Sequence, residues 1–229
     1  FRGGRLRERL LAEEGIVVFR ADPYSASGKG ARSAWTAYRR LGVEEVADIR
    51  TLIEWVNDHA WADRTRVGMS GGSYGGFMTG YAMTQTDLFS AGVAAAPVTS
   101  WRDYDTIYTE RYMDTPMNNP DGYLETSVVE AAEHLHGRLL LLHGTIDDNV
   151  HMQNSIRLID ALREAGKQFD MFIYPGFRHR LGNDHYDRLV HDFVLETMLG
   201  ARRERPDEPA SETSPSPEAS NGVLGPSGG

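Results

Sequence analysis

Between residues 6 and 199 the chain switches repeatedly between two hydrophobic periods, and that alternation narrows its fold more than any other feature. Short aliphatic or β-branched runs at 16–19, 93–96, 139–142 and 171–174 have the length and content of buried strands, and Val67 and Met69 begin another. The stretches between them carry helical spacing. Residues 6–14 end at Gly15, and 43–59 place Val46, Ile49, Leu52, Ile53 and Val56 on one face. Residues 77–83, 156–165 (closed by Gly166) and 186–198 complete the set. Strands alternating with helices of this length form a mainly parallel sheet covered on both faces, an α/β fold.

Composition bounds the rest. With 229 residues, 40% of them apolar, the chain holds enough material for one domain with a substantial core. From about Gly200 the sequence becomes Arg-Arg-Glu-Arg-Pro and then a Pro/Ser/Glu/Gly mixture, which predicts a disordered tail over 200–229 and a folded domain over 1–199. A net charge of −9 argues against nucleic-acid or anionic-membrane partners, which demand clustered Lys and Arg. No apolar run approaches the roughly 18 residues of a membrane span. Cysteine is absent, which excludes disulfides, thiolate metal sites and thiol catalysis and leaves the compartment open. The opening Phe1-Arg2-Gly3-Gly4 has neither a Met nor a signal-peptide pattern and reads as the interior of a longer polypeptide.

One turn carries chemistry. Gly71-Gly72-Ser73-Tyr74-Gly75 follows a strand and opens a helix with small residues at Gly75, Gly76 and Gly80. In a G-x-S-x-G elbow the Ser adopts strained backbone angles, and side chains at the flanking positions would collide with neighbouring strands. The geometry lifts Oγ above the sheet edge and aims the next amide, that of Tyr74, at the place where an oxyanion would form, helped by the positive end of the helix. A phosphate-loop reading fails because no Lys-Ser/Thr pair follows these glycines, and Gly28-Lys29-Gly30 fails the same test.

A Ser hydroxyl needs a His base, and the His needs an acid to orient it. In chain order after Ser73, Asp147 and Asp148 follow the run 139–142, and His179 follows the run 171–174. Each falls in a loop after a strand, where the crevice of such a sheet opens. An Asp in that position also serves as a turn former or helix cap, and a lone His is more often a surface residue. His143, Asp147 and His151 are four apart, as metal ligands on a helix would be, but Gly144 and the preceding strand argue against a helix there. No metal or cofactor is expected.

These residues resemble the catalytic domain of the prolyl oligopeptidase family, an α/β-hydrolase fold, and within it the dipeptidyl peptidase IV branch. The similarity runs from about Val17 to Leu199. Its most specific blocks are Gly71 to Gly76, Ala96-Pro97-Val98 with Tyr108-Thr109-Glu110-Arg111-Tyr112-Met113, and the nine residues from His143 to His151. The resemblance implies Ser73 as nucleophile, Asp147 rather than Asp148 as the acid, His179 as the base and the Tyr74 amide as an oxyanion donor. It implies Val98, Trp101, Tyr104, Tyr108 and Val150 as the lining of a pocket for proline or alanine, and Asn149 as the group that holds the preceding carbonyl. Aromatic walls of this kind suit a pyrrolidine ring. Tyr104 and Tyr108, at i and i+4, are expected on one helix face.

The implied activity is release of N-terminal dipeptides after Pro or Ala through an acyl-enzyme. The implied partners are a peptide substrate and an N-terminal β-propeller of the same polypeptide, and the resemblance allows a homodimer. An early strand carrying an oxyanion-donating Tyr is also implied, and neither it nor the propeller precedes Phe1, so this chain alone is expected to be weakly active or inactive. Three positions depart from the family pattern: Gly72 before the nucleophile, Arg180 after the base, and Tyr24 where the family has Arg. Gly72 is expected to loosen packing at the elbow and Arg180 to set a cation beside the base. The same triad would serve a carboxylesterase or acyl-peptide hydrolase, and the departures leave room for a non-catalytic binding module.

Overall fold

Four of the five expected strand runs lie side by side and parallel, each protecting its neighbour's backbone groups. The computed structural model describes residues 6–200. In chain order these form α1 (Leu6–Glu13), α2 (Ala31–Ala34), α3 (Val43–Asn57), β1 (Gly68–Gly72), α4 (Tyr74–Gln85), β2 (Ala91–Ala95), α5 (Thr106–Met113), α6 (Pro120–Glu125), β3 (Arg138–Gly144), α7 (Gln153–Glu164), β4 (Asp170–Tyr174) and α8 (Asp184–Leu199). The sheet order is β1-β2-β3-β4, all parallel, with Gly72, Ala95, Leu142 and Phe172 in register across it. All four strands therefore deliver their C-terminal loops to one edge.

The central strands divide their side chains between two cores, as the two-residue period of a strand requires. Leu139 and Leu141 join Phe77, Met83, Ile53, Leu158 and Leu162 on the face covered by α3, α4 and α7. Leu140 and Leu142 join Val93, Val190, Phe193 and Met198 on the face covered by α8. Each fully buried leucine contributes roughly 1.5–3 kcal/mol of transfer free energy. Helix α4 has no solvent face over residues 76–84, where every residue is buried. Its close seating requires Gly76, whose added Cβ would lie 2.8 Å from the Ala95 carbonyl oxygen.

The helices expected at 6–14, 43–59 and 156–165 form within a few residues of those bounds, and Gly166 closes α7 in the left-handed region at φ +67°. The run 16–19 does not form a strand. Val17, Val18 and Phe19 are exposed, and no backbone ladder takes them up among the described residues. Phe19 instead stacks on Trp61 at 6.1 Å and meets Trp55 edge-on at 6.3 Å. A β-branched run becomes a strand only where a neighbour accepts its hydrogen bonds, and propensity alone does not supply one. The tail expected over 200–229 lies outside the described residues except for Gly200, which caps α8 at φ +69°.

Two glycines at strand ends separate steric need from mere tolerance. A Cβ on Gly144 would fall 2.3 Å from the Phe177 carbonyl oxygen and 2.7 Å from that of Arg178, both backbone atoms. A Cβ on Gly72 would find its nearest neighbour at 3.6 Å, an ordinary contact. Gly144→Ala is thus expected to cost about 2–3 kcal/mol, the upper range for overpacking, whereas Gly72→Ala should stay within about 1 kcal/mol of the parent. Urea denaturation of the two variants side by side checks this; equal losses would contradict it.

Candidate active site

Ser73 sits between the last residue of β1 and the first of α4 at φ 58° and ψ −119°, a left-handed conformation that a side chain ordinarily avoids. Such strain costs on the order of 1–3 kcal/mol and persists only where neighbours over-determine it. Here the Ser73 amide donates to the Ala95 carbonyl at 2.8 Å, and the Phe77 amide donates to the Ser73 carbonyl at 2.9 Å. The glycine requirement differs from the one expected. A Cβ on Gly71 would lie 2.4 Å from the Gly75 carbonyl carbon, so the elbow collides with itself and not with a strand; a Cβ on Gly75 would meet nothing within 4 Å.

Tyr74 opens α4, and its ring is enclosed by Phe77 at 5.4 Å and Trp101 at 5.9 Å. Its hydroxyl donates to Glu45 Oε1 at 3.0 Å. Burial, reinforced by the Glu45 carboxylate, pushes the phenol far above its usual range, so it stays a donor. Glu45 was not among the residues the sequence singled out, because its partners lie far apart in the chain.

Asp147 and His179 meet. His179 Nδ1 is 2.8 Å from Asp147 Oδ2, and the carboxylate is buried while the imidazole stays a quarter exposed. Oδ1 of Asp147 accepts the amides of Asn149 and Val150, each at 3.0 Å. These charge-assisted bonds offset the cost of taking a carboxylate out of water. The two loops are laced together as well: the Thr145 amide donates to the Tyr174 carbonyl at 3.0 Å and the Ile146 amide to that of Phe177 at 3.1 Å. Asp148 turns outward and pairs with Arg178 at the surface, and Arg180 is exposed. Among the described residues no hydrogen bond joins the Ser73 hydroxyl to His179; catalytic pairs of this kind often tighten only when substrate binds.

A second imidazole lies behind the acid. His143 is fully buried, with Nε2 2.8 Å from the Val150 carbonyl and 3.3 Å from Asp147 Oδ2, and Nδ1 2.6 Å from the Ser155 hydroxyl. The proton on Nε2 is directed at the carbonyl, and the carboxylate gains from the dipole without a well-aligned hydrogen bond. Burial lowers the His143 pKa and keeps the ring neutral.

The loop after β2 brings the aromatic residues together. Val98, Trp101 and Val150 are buried, and Trp101 stacks on Tyr108 at 6.0 Å and meets Tyr104 edge-on at 6.2 Å. Tyr104 does not share a helix face with Tyr108. It is extended, at φ −119° and ψ 164°, and Asp105 caps α5 after it by accepting the Tyr108 amide at 2.8 Å. The two rings nonetheless touch edge-on at 5.5 Å. Tyr104 donates its hydroxyl to Asn149 Oδ1 at 2.9 Å, which leaves the Asn149 amide nitrogen for another acceptor. Both residues line a cleft of about 300 Å³ with Asp103, Asp105, Asp148 and His151. Asn154, wholly buried, pins this loop by accepting the Thr99 amide at 2.9 Å and donating to the Asp103 carbonyl at 3.1 Å.

Comparison with known proteins gives the family and the fold. The sequence profile of the prolyl oligopeptidase family matches residues 4–199. A probable dipeptidyl-aminopeptidase B of Fusarium vanettenii is 39% identical over 196 residues, which cover 84% of this chain and 22% of that protein. One of Emericella nidulans is 41% identical over 197 residues, covering 84% and 22%. The chain thus spans about a fifth of the length of these curated relatives. Among solved structures, dipeptidyl peptidase 4 of Porphyromonas gingivalis superposes with a TM-score of 0.73 at 36% identity over 77% of this chain and 26% of that one. A putative dipeptidyl aminopeptidase IV of Bacteroides ovatus gives 0.73 at 34% identity, covering 77% and 25%. The fold is that of the α/β-hydrolase domains in these proteins.

His143 gives the site a pH signature. Its folded pKa lies below the ordinary 6.5, so on acidification the unfolded chain takes up this proton first. Stability from this group is present above about pH 6.5 and is lost as pH falls toward the folded value. Replacing it by Asn removes that loss. In urea titrations at pH 8, 7, 6 and 5.5, the stability advantage of the parent over His143→Asn should shrink toward the acid end; a constant advantage would contradict it.

Proposed function

Given that the chain belongs to the prolyl oligopeptidase family, we propose that residues 1–199 act as a serine peptidase catalytic domain that cleaves after Pro or Ala near the substrate's N-terminus, releasing dipeptides. The observation that carries this is the buried Asp147 carboxylate bonded to His179 Nδ1 at 2.8 Å, in loops that leave the same edge of the sheet as the strained Ser73. With Nδ1 committed to Asp147, the free nitrogen of His179 is Nε2, the one that would take the Ser73 proton. Ser73 Oγ then attacks the carbonyl carbon, and the oxyanion forms against the Tyr74 amide at the positive end of α4. The Asp147 carboxylate stabilises the imidazolium, which gives its proton to the leaving amine. Water, activated by the same imidazole, releases the acyl group from Ser73.

Selection follows from the aromatic cluster. Val98, Trp101, Tyr104, Tyr108 and Val150 would enclose the pyrrolidine or methyl side chain at the scissile residue, and the free amide nitrogen of Asn149 would hold the preceding carbonyl. The names of the relatives support a dipeptidyl product, and their greater length supports a further part, which we assign to an N-terminal propeller that grips the substrate's amino group.

The full-length protein treated with a fluorophosphonate should be labelled at Ser73 and should hydrolyse Gly-Pro and Ala-Pro p-nitroanilides. Ser73→Ala should abolish both, and Asp147→Asn should lower kcat by about 10⁴-fold, as loss of the orienting acid does in triads of this kind. A folded protein that is neither labelled nor active on these amides overturns the reading; turnover of p-nitrophenyl esters alone would make it an esterase.

A further inference from the structure

Glu45 is a buried carboxylate that the triad does not use. It lies in the first turn of α3 at 3% exposure and forms no ion pair among the described residues. Its charge is met by three donors: the Gly42 amide at 2.9 Å on Oε2, and the Ser25 and Tyr74 hydroxyls at 2.9 and 3.0 Å on Oε1. Capping α3 accounts for Oε2 alone, and an exposed Glu or a Gln would cap as well. Burying the group costs several kcal/mol unless it is well bonded, so the second oxygen and its two hydroxyls need a reason of their own.

That reason lies in what the donors belong to. Tyr74 is the residue after Ser73, and the amide assigned to the oxyanion is its own. Its ring is held on its sides by Phe77 and Trp101 and at its far end by Glu45. Ser25 brings the loop 22–30 to the same oxygen, and the Tyr24 amide ties that loop to Asp48 on α3. The carboxylate thus joins three segments at the first residue of α4. We propose that Glu45 is a positioning residue for hydrolysis: by holding the Tyr74 hydroxyl it fixes the aim of the Tyr74 amide at the oxyanion.

The inference rests on the serine-peptidase reading, and the experiment separates the two. In the full-length protein, Tyr74→Phe removes only the hydroxyl and keeps the ring and the amide. It should lower kcat by about 10- to 100-fold, the effect of a misaimed donor and less than the roughly 10²–10³-fold of a donor lost outright. KM should stay within about twofold, since an aim felt in the transition state spares substrate binding. Affinity for a dipeptidyl boronic acid, whose tetrahedral adduct presents an oxygen to the same donors, should fall by the same factor as kcat. Glu45→Gln should do likewise, and the double variant should be no worse than the poorer single one, as expected of groups acting through one bond. If Glu45→Gln does not fold, Tyr74→Phe alone decides. Wild-type kcat and boronate affinity in Tyr74→Phe, or a change confined to KM, overturns the role of Glu45 while Ser73→Ala remains dead. An active Ser73→Ala protein overturns this proposal together with the peptidase reading.

Discussion

The structure depends on keeping the Asp147 carboxylate out of water and bonded. An uncompensated buried carboxylate would cost several kcal/mol, a large part of the margin by which a domain is stable. Its compensation comes from its own loop, through the Asn149 and Val150 amides, and from the next one, through His179. Both loops must therefore leave adjacent strands at the same end of the sheet. Parallel pairing of β3 with β4, with Gly144 opposite Tyr174, meets that demand. The absence of a side chain at Gly144 lets the two loops close to backbone contact.

The same logic applies across the sheet to Ser73. Its left-handed angles are held by a bond to Ala95 on β2, so the elbow is fixed by the neighbouring strand as much as by its own glycines. Ala96, at φ +45°, is strained in its turn and donates to Leu142 on β3. The strained ends of β1 and β2 are thus each held by the next strand, and the interior leucines of β3 are buried.

The parts legible in the sequence were those with local causes. A run of four leucines, helical spacing over residues 43–59 and a glycine closing α7 each carry their signal within a dozen residues, and each formed close to its expected place. The order of Ser73, Asp147 and His179 was legible because each follows a strand, and the structure brings Asp147 and His179 together. What failed needed a partner. The run 16–19 has strand propensity but no strand beside it among the described residues, and Tyr104 has helical spacing from Tyr108 but precedes the cap that Asp105 supplies. Glu45 was invisible for the same reason: its donors come from positions 25, 42 and 74, and no spacing rule connects them.

Under the proposed function, binding and chemistry would share one piece of backbone, the segment 147–150. The amides of Asn149 and Val150 hold the carboxylate of Asp147, while the Asn149 side chain accepts from Tyr104 and Val150 is buried beside the aromatic cluster. Val150 also offers its carbonyl to His143, which fixes the segment from behind. A ligand that shifted Tyr104 would pull on Asn149 and, through its amide, on the acid that orients His179. Recognition of the scissile residue and orientation of the base would then be set by the same few bonds. On the proposed reading, a pocket and a triad coupled in this way would favour turnover of substrates that seat correctly over those that merely reach the serine.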